Sequence, residues 1–405
     1  MLIADAGHRC LASRPTPGQR TAHQPGSPLG QEPHRVSTTQ PAGREDAGEA
    51  AAQAGAAESG VDVVTLGESM VTFLPSRPGR LADVPSFDRA IGGAESNVAC
   101  VLAAAGHAAR WVSRVGADGF GDHLVEAIAA YGVDTSRVRR DPLRPTGVYF
   151  RTAGERGGAG HEVAYYRAGS AASAMAADTV DTAALTAGRI LHLTGITAAL
   201  SASCRALLGE LTAPRPGRPL ISFDVNHRPG LWRGTGEARV LRELAGGADL
   251  VFVGEDEAEE VWGVRGGPGA VRAALPEPPV LVVKQGARGA TVFARPPGQE
   301  PPYEKADTVL FVPAPGVEVV ATTGAGDAFA AGFLSASLRG LGLRERLRHG
   351  QLCAAAALTV PGDLAPPPAR GHADRLAALD EAEWGRLRLG PGWTRTAAGK
   401  EEATP

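Results

Sequence analysis

The sequence predicts an α/β protein: a doubly wound, mostly parallel sheet flanked by helices, with a small antiparallel β lid. Short apolar runs alternate with helical patterns along most of the 405 residues, the rhythm of parallel strands joined by crossover helices. Hydrophobic residues make up 43% of the chain and aromatics only 5%, a balance that suits a sheet covered by aliphatic helices. Two stretches, 71–93 and 146–170, break this rhythm and alternate like strands joined by turns.

Residues 1–59 are rich in Pro, Gly, Gln and Ser and show no apolar period. They carry too little apolar surface to offset chain entropy, so a disordered extension is expected there. Arginine outnumbers acid near the start, which raises a transit peptide as an alternative, but the prolines spoil its amphipathic helix. Order is expected over 60–388, beginning with a strand in "VDVVTLGESM" (61–70). Helical patterns follow at "AESNVACVLAAAG" (94–106) and "GDHLVEAIAAYG" (121–132). Further strands are expected in "ARWVSRVG" (109–116), "RILHLTG" (189–195), "PLISFDVN" (219–226), "ADLVFVG" (248–254) and "PVLVVKQG" (279–286). The stretch 146–170 reads as a hairpin around a Gly-rich loop, and both irregular stretches read as a flap that covers a site and excludes water. Residues 389–405 are expected to form a flexible tail. Ligands of such sheets sit beyond the carboxyl ends of the strands. Gly67, Thr194, Asp224, Asn226, Gly254, Gly286 and Asp327 all fall at such ends, which points to one cleft.

A net charge of −3 argues against nucleic-acid binding, which draws on clustered positive charge. Cys10, Cys100, Cys204 and Cys353 are far apart and form no CxxC pair, so they read as thiols of a reducing compartment. No apolar run reaches the roughly 18–20 residues of a membrane span. A soluble, cytosolic, metabolic protein is expected.

The run "VVATTGAGDAFAAGF" (319–333) carries the most chemistry. Gly324 and Gly326 allow a tight turn and close approach of bare backbone. The N–H groups from Gly324 to Asp327 would open the following helix and form an anion site with its dipole. Asp327, in the first turn, would accept a hydroxyl proton while those amides stabilise a migrating phosphoryl group. The plain alternative is a helix cap after an ordinary loop.

With "GGAESNVACVLAAAG" and "VSRVGADGFG" (within 92–121) in the right order before "TTGAGDAFAAGF" (322–333), the chain resembles the ribokinase-like (PfkB-type) carbohydrate kinases over roughly residues 61–375. The resemblance implies ATP and Mg²⁺ as cofactors, Asp327 as catalytic base, and Gly324, Ala325 and Gly326 as the anion hole. It implies that "VKQGARG" (283–289) is the nucleotide strand and turn, with Gly286 and Gly289 admitting ATP and Lys284 near its phosphates. A solvated strand end is the plain alternative for Lys284. "YYRAGSAAS" (165–173), "HLTGITAALS" (192–201) and "FDVNHRPGLW" (223–232) resemble the 2-keto-3-deoxygluconate kinase branch. That implies sugar-acid contacts from Gly93, Tyr149, Tyr165, Arg167 and Arg228, and from Asp363 at the cleft rim. A carboxylate substrate suits arginine, which offers planar paired donors; the alternative is two surface arginines paired with acids. The family also implies pairing of copies through the lid edges.

Two departures stand out. Ala321 occupies the place where many relatives carry Asp, an acid that helps hold a monovalent cation in some of them, which puts potassium activation in doubt. "GEDE" (254–257) has Gly254 in place of a usual asparagine but keeps Glu257, which would act on Mg²⁺ indirectly through water. A dinucleotide oxidoreductase and a P-loop kinase both lack their glycine patterns here, and zinc hydrolysis lacks clustered His or Cys. A kinase for a neutral sugar such as fructose or ribose is the runner-up, and a non-catalytic sugar sensor is a third reading.

Overall fold

The computed structural model describes residues 60–152, 162–232, 236–296 and 306–395. The expected extension 1–59 and the Gly-rich loop of the second lid hairpin lie outside the described residues. In chain order the strands are β1 (Val63–Leu66), β2 (Met70–Pro75), β3 (Phe87–Gly92), β4 (Ala109–Val112), β5 (Arg114–Gly116), β6 (Arg139–Asp141), β7 (Val148–Arg151) and β8 (Val163–Tyr166). They continue with β9 (Ile190–Thr194), β10 (Leu220–Asp224), β11 (Leu250–Gly254), β12 (Val280–Lys284), β13 (Gly289–Ala294), β14 (Thr308–Pro313), β15 (Gly316–Val317) and β16 (Arg388–Leu389).

The main sheet runs β14-β13-β12-β11-β10-β9-β1-β4. Every pairing from β12 to β4 is parallel, and β13 and β14 reverse direction at one edge. β1, β4, β9 and β11 are buried along their whole length, as strands covered on both faces must be. Along β11, Phe252 enters one core layer while Val251 and Val253 enter the other, following the two-residue period of a strand. Phe252 meets Phe329 and Phe333 edge-on, with ring centroids 6.2 and 5.4 Å apart. Each such buried ring contributes roughly 1.5–3 kcal/mol. Together they fix the helix Ala325–Leu338 against the sheet, with its N-terminus at the carboxyl ends of the strands.

The lid is a separate sheet in the order β3-β2-β7-β8. Its two hairpins are antiparallel, as expected, but they join through a parallel pairing of β2 with β7. The chain passes through the main domain between them, so β7 returns in the direction of β2. Phe73 stacks on Phe150 at 4.6 Å, and Phe87 meets Phe150 edge-on at 5.2 Å, which gives the lid a small core of its own.

The flexible tail expected from residue 389 begins too early. β16 pairs with β15, and Trp384 and Trp393 are buried. The indole N–H of Trp384 donates to the Pro313 carbonyl at 2.8 Å, so order continues to residue 395 through contacts with a distant strand.

Candidate active site

Gly324 caps the helix Ala325–Leu338 with φ 78°, in the left-handed region. A Cβ there would overlap the carbonyl oxygen of Asp363. The first intrahelical bond runs from the Ala328 N–H to the Gly324 carbonyl at 2.9 Å. The amides of 325–327 therefore have no partner inside the helix and face outward at its positive end.

Asp327 sits in that first turn, half-buried. Asn97 donates to its Oδ2 at 2.8 Å, and Asn226 approaches Oδ1 at 3.4 Å. Burial pushes its pKa up to about 6 against the Asn97 hydrogen bond, the negative Asp224 adds to the rise, and Arg228 and Lys284 oppose it. Such a carboxyl is ionised at neutral pH yet basic enough to take a proton.

Asp224, Gly254 and Lys284 end three adjacent parallel strands. Lys284 Nζ bridges both Asp224 oxygens, at 3.0 and 2.9 Å. Burial works against the ammonium, but Asp224 and Glu257 outweigh it and hold its pKa above the ordinary value. Lys284 is thus an internal ion pair and not a solvated strand end. Its Nζ lies only 3.7 Å from where a Gly326 side chain would begin, which puts the ammonium beside the anion turn. Glu257 Oε2 caps the Gly254 N–H at 2.7 Å, and Oε1 stands 3.8 Å from Arg228. Asn226 adopts φ 38°, unusual outside glycine, in the loop that leads from Asp224 at the end of β10 to Arg228. Gly286 has open space before it, with φ 56°. Gly289 packs against the backbone of β14, so its lack of a side chain already has a structural reason.

The residues expected to hold a sugar acid divide into two groups. Tyr149 and Asp363 meet directly, the phenol donating to Oδ2 at 2.6 Å, with Arg151 donating to Oδ1 at 2.8 Å. Burial and then the Asp363 charge push the Tyr149 phenol well above its usual pKa. On the lid, Tyr165 is half exposed and packs on Tyr149 at 5.4 Å, with the Arg167 guanidinium 5.8 Å from its ring. Arg167 ion-pairs with the buried Glu68, to which Ser170 also donates at 2.5 Å. Gly93 is pressed against the backbone of Glu68 and Ser69. Arg228 donates to the neighbouring His227 carbonyl at 2.8 Å and keeps a third of its side chain exposed. Both arginines therefore have acidic neighbours, and Arg167 Nε has no hydrogen-bond partner among the described residues.

Sequence reasoning passed over Glu95, Asn97, Glu68 and Arg151. Glu95 is wholly buried, and its Oε1 accepts from Thr194 at 2.8 Å and Thr197 at 2.6 Å. Burial pushes its pKa up to about 7 against those two hydroxyls. Polar residues in "GGAESN", opening an otherwise apolar helix, were the available signal for Glu95 and Asn97. A surface hollow of about 380 Å³, lined by Arg205, Thr212, Arg239 and Glu243 among others, includes none of these groups.

The family model for pfkB family carbohydrate kinases matches residues 61–370. The chain is a PfkB family carbohydrate kinase. It is 34% identical to the 2-dehydro-3-deoxygluconokinase of Bacillus subtilis (strain 168) over 80% of this chain and 96% of that protein. It is 33% identical to the enzyme of the same name from Thermoproteus tenax, covering 79% and 95%. Fructokinase-1 of Zea mays follows at 30%, covering 79% and 98%. A sugar kinase from Pyrococcus horikoshii, solved in complex with ATP, is 27% identical with a TM-score of 0.65, covering 80% of this chain and 99% of that one. Among the described residues of this PfkB kinase, no helix is long and apolar enough to cross a membrane.

Proposed function

We propose that this kinase transfers the γ-phosphoryl group of ATP to the C6 hydroxyl of 2-keto-3-deoxygluconate, giving 2-keto-3-deoxy-6-phosphogluconate and ADP. The observation that carries the substrate choice is the similarity to two 2-dehydro-3-deoxygluconokinases along nearly their whole length. The geometry supports it through Arg167 on the lid and Arg228 beyond β10, two guanidinium forks suited to a sugar carboxylate.

In this reading Asp327 accepts the C6 hydroxyl proton as the oxygen attacks the γ-phosphorus and the bond to the β-phosphate oxygen breaks. The amides of 325–327 and the ammonium of Lys284 stabilise charge on the transferred group. Asn97 and Asn226 keep the carboxylate aimed at the acceptor. Gly93, Tyr149 and Tyr165 shape the sugar pocket, and Asp363 acts from behind Tyr149. Gly286 and Gly289 border the nucleotide.

Glu257, whose Oε1 stands 3.8 Å from Arg228, fits a water-mediated role toward Mg²⁺. The described residues hold no group of three acidic, His or Cys side chains able to cage a metal, which suits an ion carried by the phosphates. Mg²⁺ bound with the nucleotide there would supply positive charge that offsets the phosphates. The exposed Tyr166 on lid edge strand β8 suits pairing between copies.

A neutral-sugar kinase is the second reading, favoured by the fructokinase relative and by the acid already beside each arginine. Arg167→Ala and Arg228→Ala separate the two. Each should raise KM for the keto acid about tenfold or more, the worth of a charged hydrogen bond, and leave KM for ATP nearly unchanged. Equal losses for both substrates would make the arginines structural.

A further inference from the structure

Two chain segments meet behind the anion turn, and one lid side chain is threaded between them. Arg151 closes β7 and is almost fully buried. Its Nη2 donates to Asp363 Oδ1 at 2.8 Å and reaches the Pro361 carbonyl at 3.4 Å, while Nη1 reaches Thr323 Oγ1 at 3.4 Å. A carboxylate, a carbonyl and a hydroxyl thus converge on one guanidinium. Thr323 immediately precedes Gly324, and the Asp363 carbonyl packs beneath Gly324 so closely that no Cβ fits.

We infer that Arg151 is a positioning residue for phosphoryl transfer, a covalently held cation that fixes the anion turn from behind and takes the place of a diffusible monovalent cation. The inference rests on the reading of 324–327 as the phosphoryl site. Oxygens of this kind suit a hard cation, and here the chain supplies one as a side chain. Removing Arg151 would take one buried cation from the Asp363 carboxylate and loosen the 361–363 segment on which the turn rests. Because Tyr149, two residues earlier on the same strand face, binds the other Asp363 oxygen at 2.6 Å, the turn is also tied to the lid.

The test follows ADP release with ATP, Mg²⁺ and whichever acceptor the unaltered protein phosphorylates, in choline, sodium and potassium salts. The unaltered protein should turn over equally in all three. Arg151→Ala should lose about 100-fold in kcat, the usual cost of a misplaced site, with much smaller changes in either KM. Guanidinium ion at sub-denaturing concentration, or potassium, should restore part of that loss and leave the unaltered protein unchanged. Arg151→Lys should fall between the two, and it carries the comparison if the alanine variant does not fold. Potassium dependence of the unaltered protein overturns the inference. So does full turnover by the variants, or a loss that neither cation relieves. Asp327→Asn in the same assay should lose about 10²–10⁴ in kcat in every salt and regain nothing with either cation. Near-unaltered turnover there would sink the phosphoryl-site reading itself, separately from the role of Arg151.

Discussion

Two carboxyl groups with raised pKa values stand close together in this kinase, and their partners separate their roles. Asp327 faces the open end of a helix and is aimed by two asparagines, whereas Glu95 is closed off between two threonines. Asp327→Asn should lower kcat by about 10²–10⁴, the usual worth of a positioned acid–base group. If Asp327 is the base of the proposed reaction it must be ionised, so kcat/KM should rise with pH through about 6, and stopped-flow or coupled assays across pH 5–8 would show it. Glu95 lies higher when folded, about 7, than its ordinary 4.5, so the folded state binds its proton more tightly than the unfolded chain does. Its contribution to stability is complete below about pH 4.5 and is lost as pH rises through about 7. Thermal unfolding across that range should show Glu95→Gln flattening this part of the decline. Asp327 was legible because its glycine-flanked motif is local. Arg151 and Glu68 were not, since their partners lie 212 and 102 residues away and nothing near them in sequence announces the contact.

The turn before the helix Ala325–Leu338 is the element on which the proposed phosphoryl transfer depends. Its left-handed Gly324 leaves room for the Asp363 carbonyl, so Gly324→Ala carries both a backbone penalty and an overlap. The backbone part alone costs roughly 1–2 kcal/mol. Urea titration should show at least that loss, and turnover should fall further because the amides of 325–327 move with the turn. Strands β1 and β9 to β12 could be read directly, because parallel strands covered on both faces are continuous apolar runs that end in polar site residues. The reversal into β13 and β14 was less visible, since alternation on an edge strand does not reveal direction. The C-terminal segment was misjudged for a related reason. Trp384 and Trp393 stand among polar residues, and the Trp384 indole finds its acceptor in a carbonyl of β14, 71 residues away, that sequence proximity cannot supply.

At the scale of the molecule, the parallel sheet delivers Asp224, Gly254 and Lys284 to one edge, and the helix bearing Asp327 opens onto the same edge. The lid closes the other side with Tyr149, Tyr165 and Arg167. That division was legible in outline, because the two lid stretches broke the strand–helix rhythm and the site residues clustered at strand ends. Substrate choice was less legible, since it turns on how two arginines divide their charge between protein acids and a ligand. The most direct measurement is therefore kcat/KM from ADP release, compared across 2-keto-3-deoxygluconate, fructose and ribose with saturating ATP and Mg²⁺. A clear preference for the keto acid, lost in Arg167→Ala, is the predicted result. Preference for fructose or ribose, unaffected by that substitution, would contradict it.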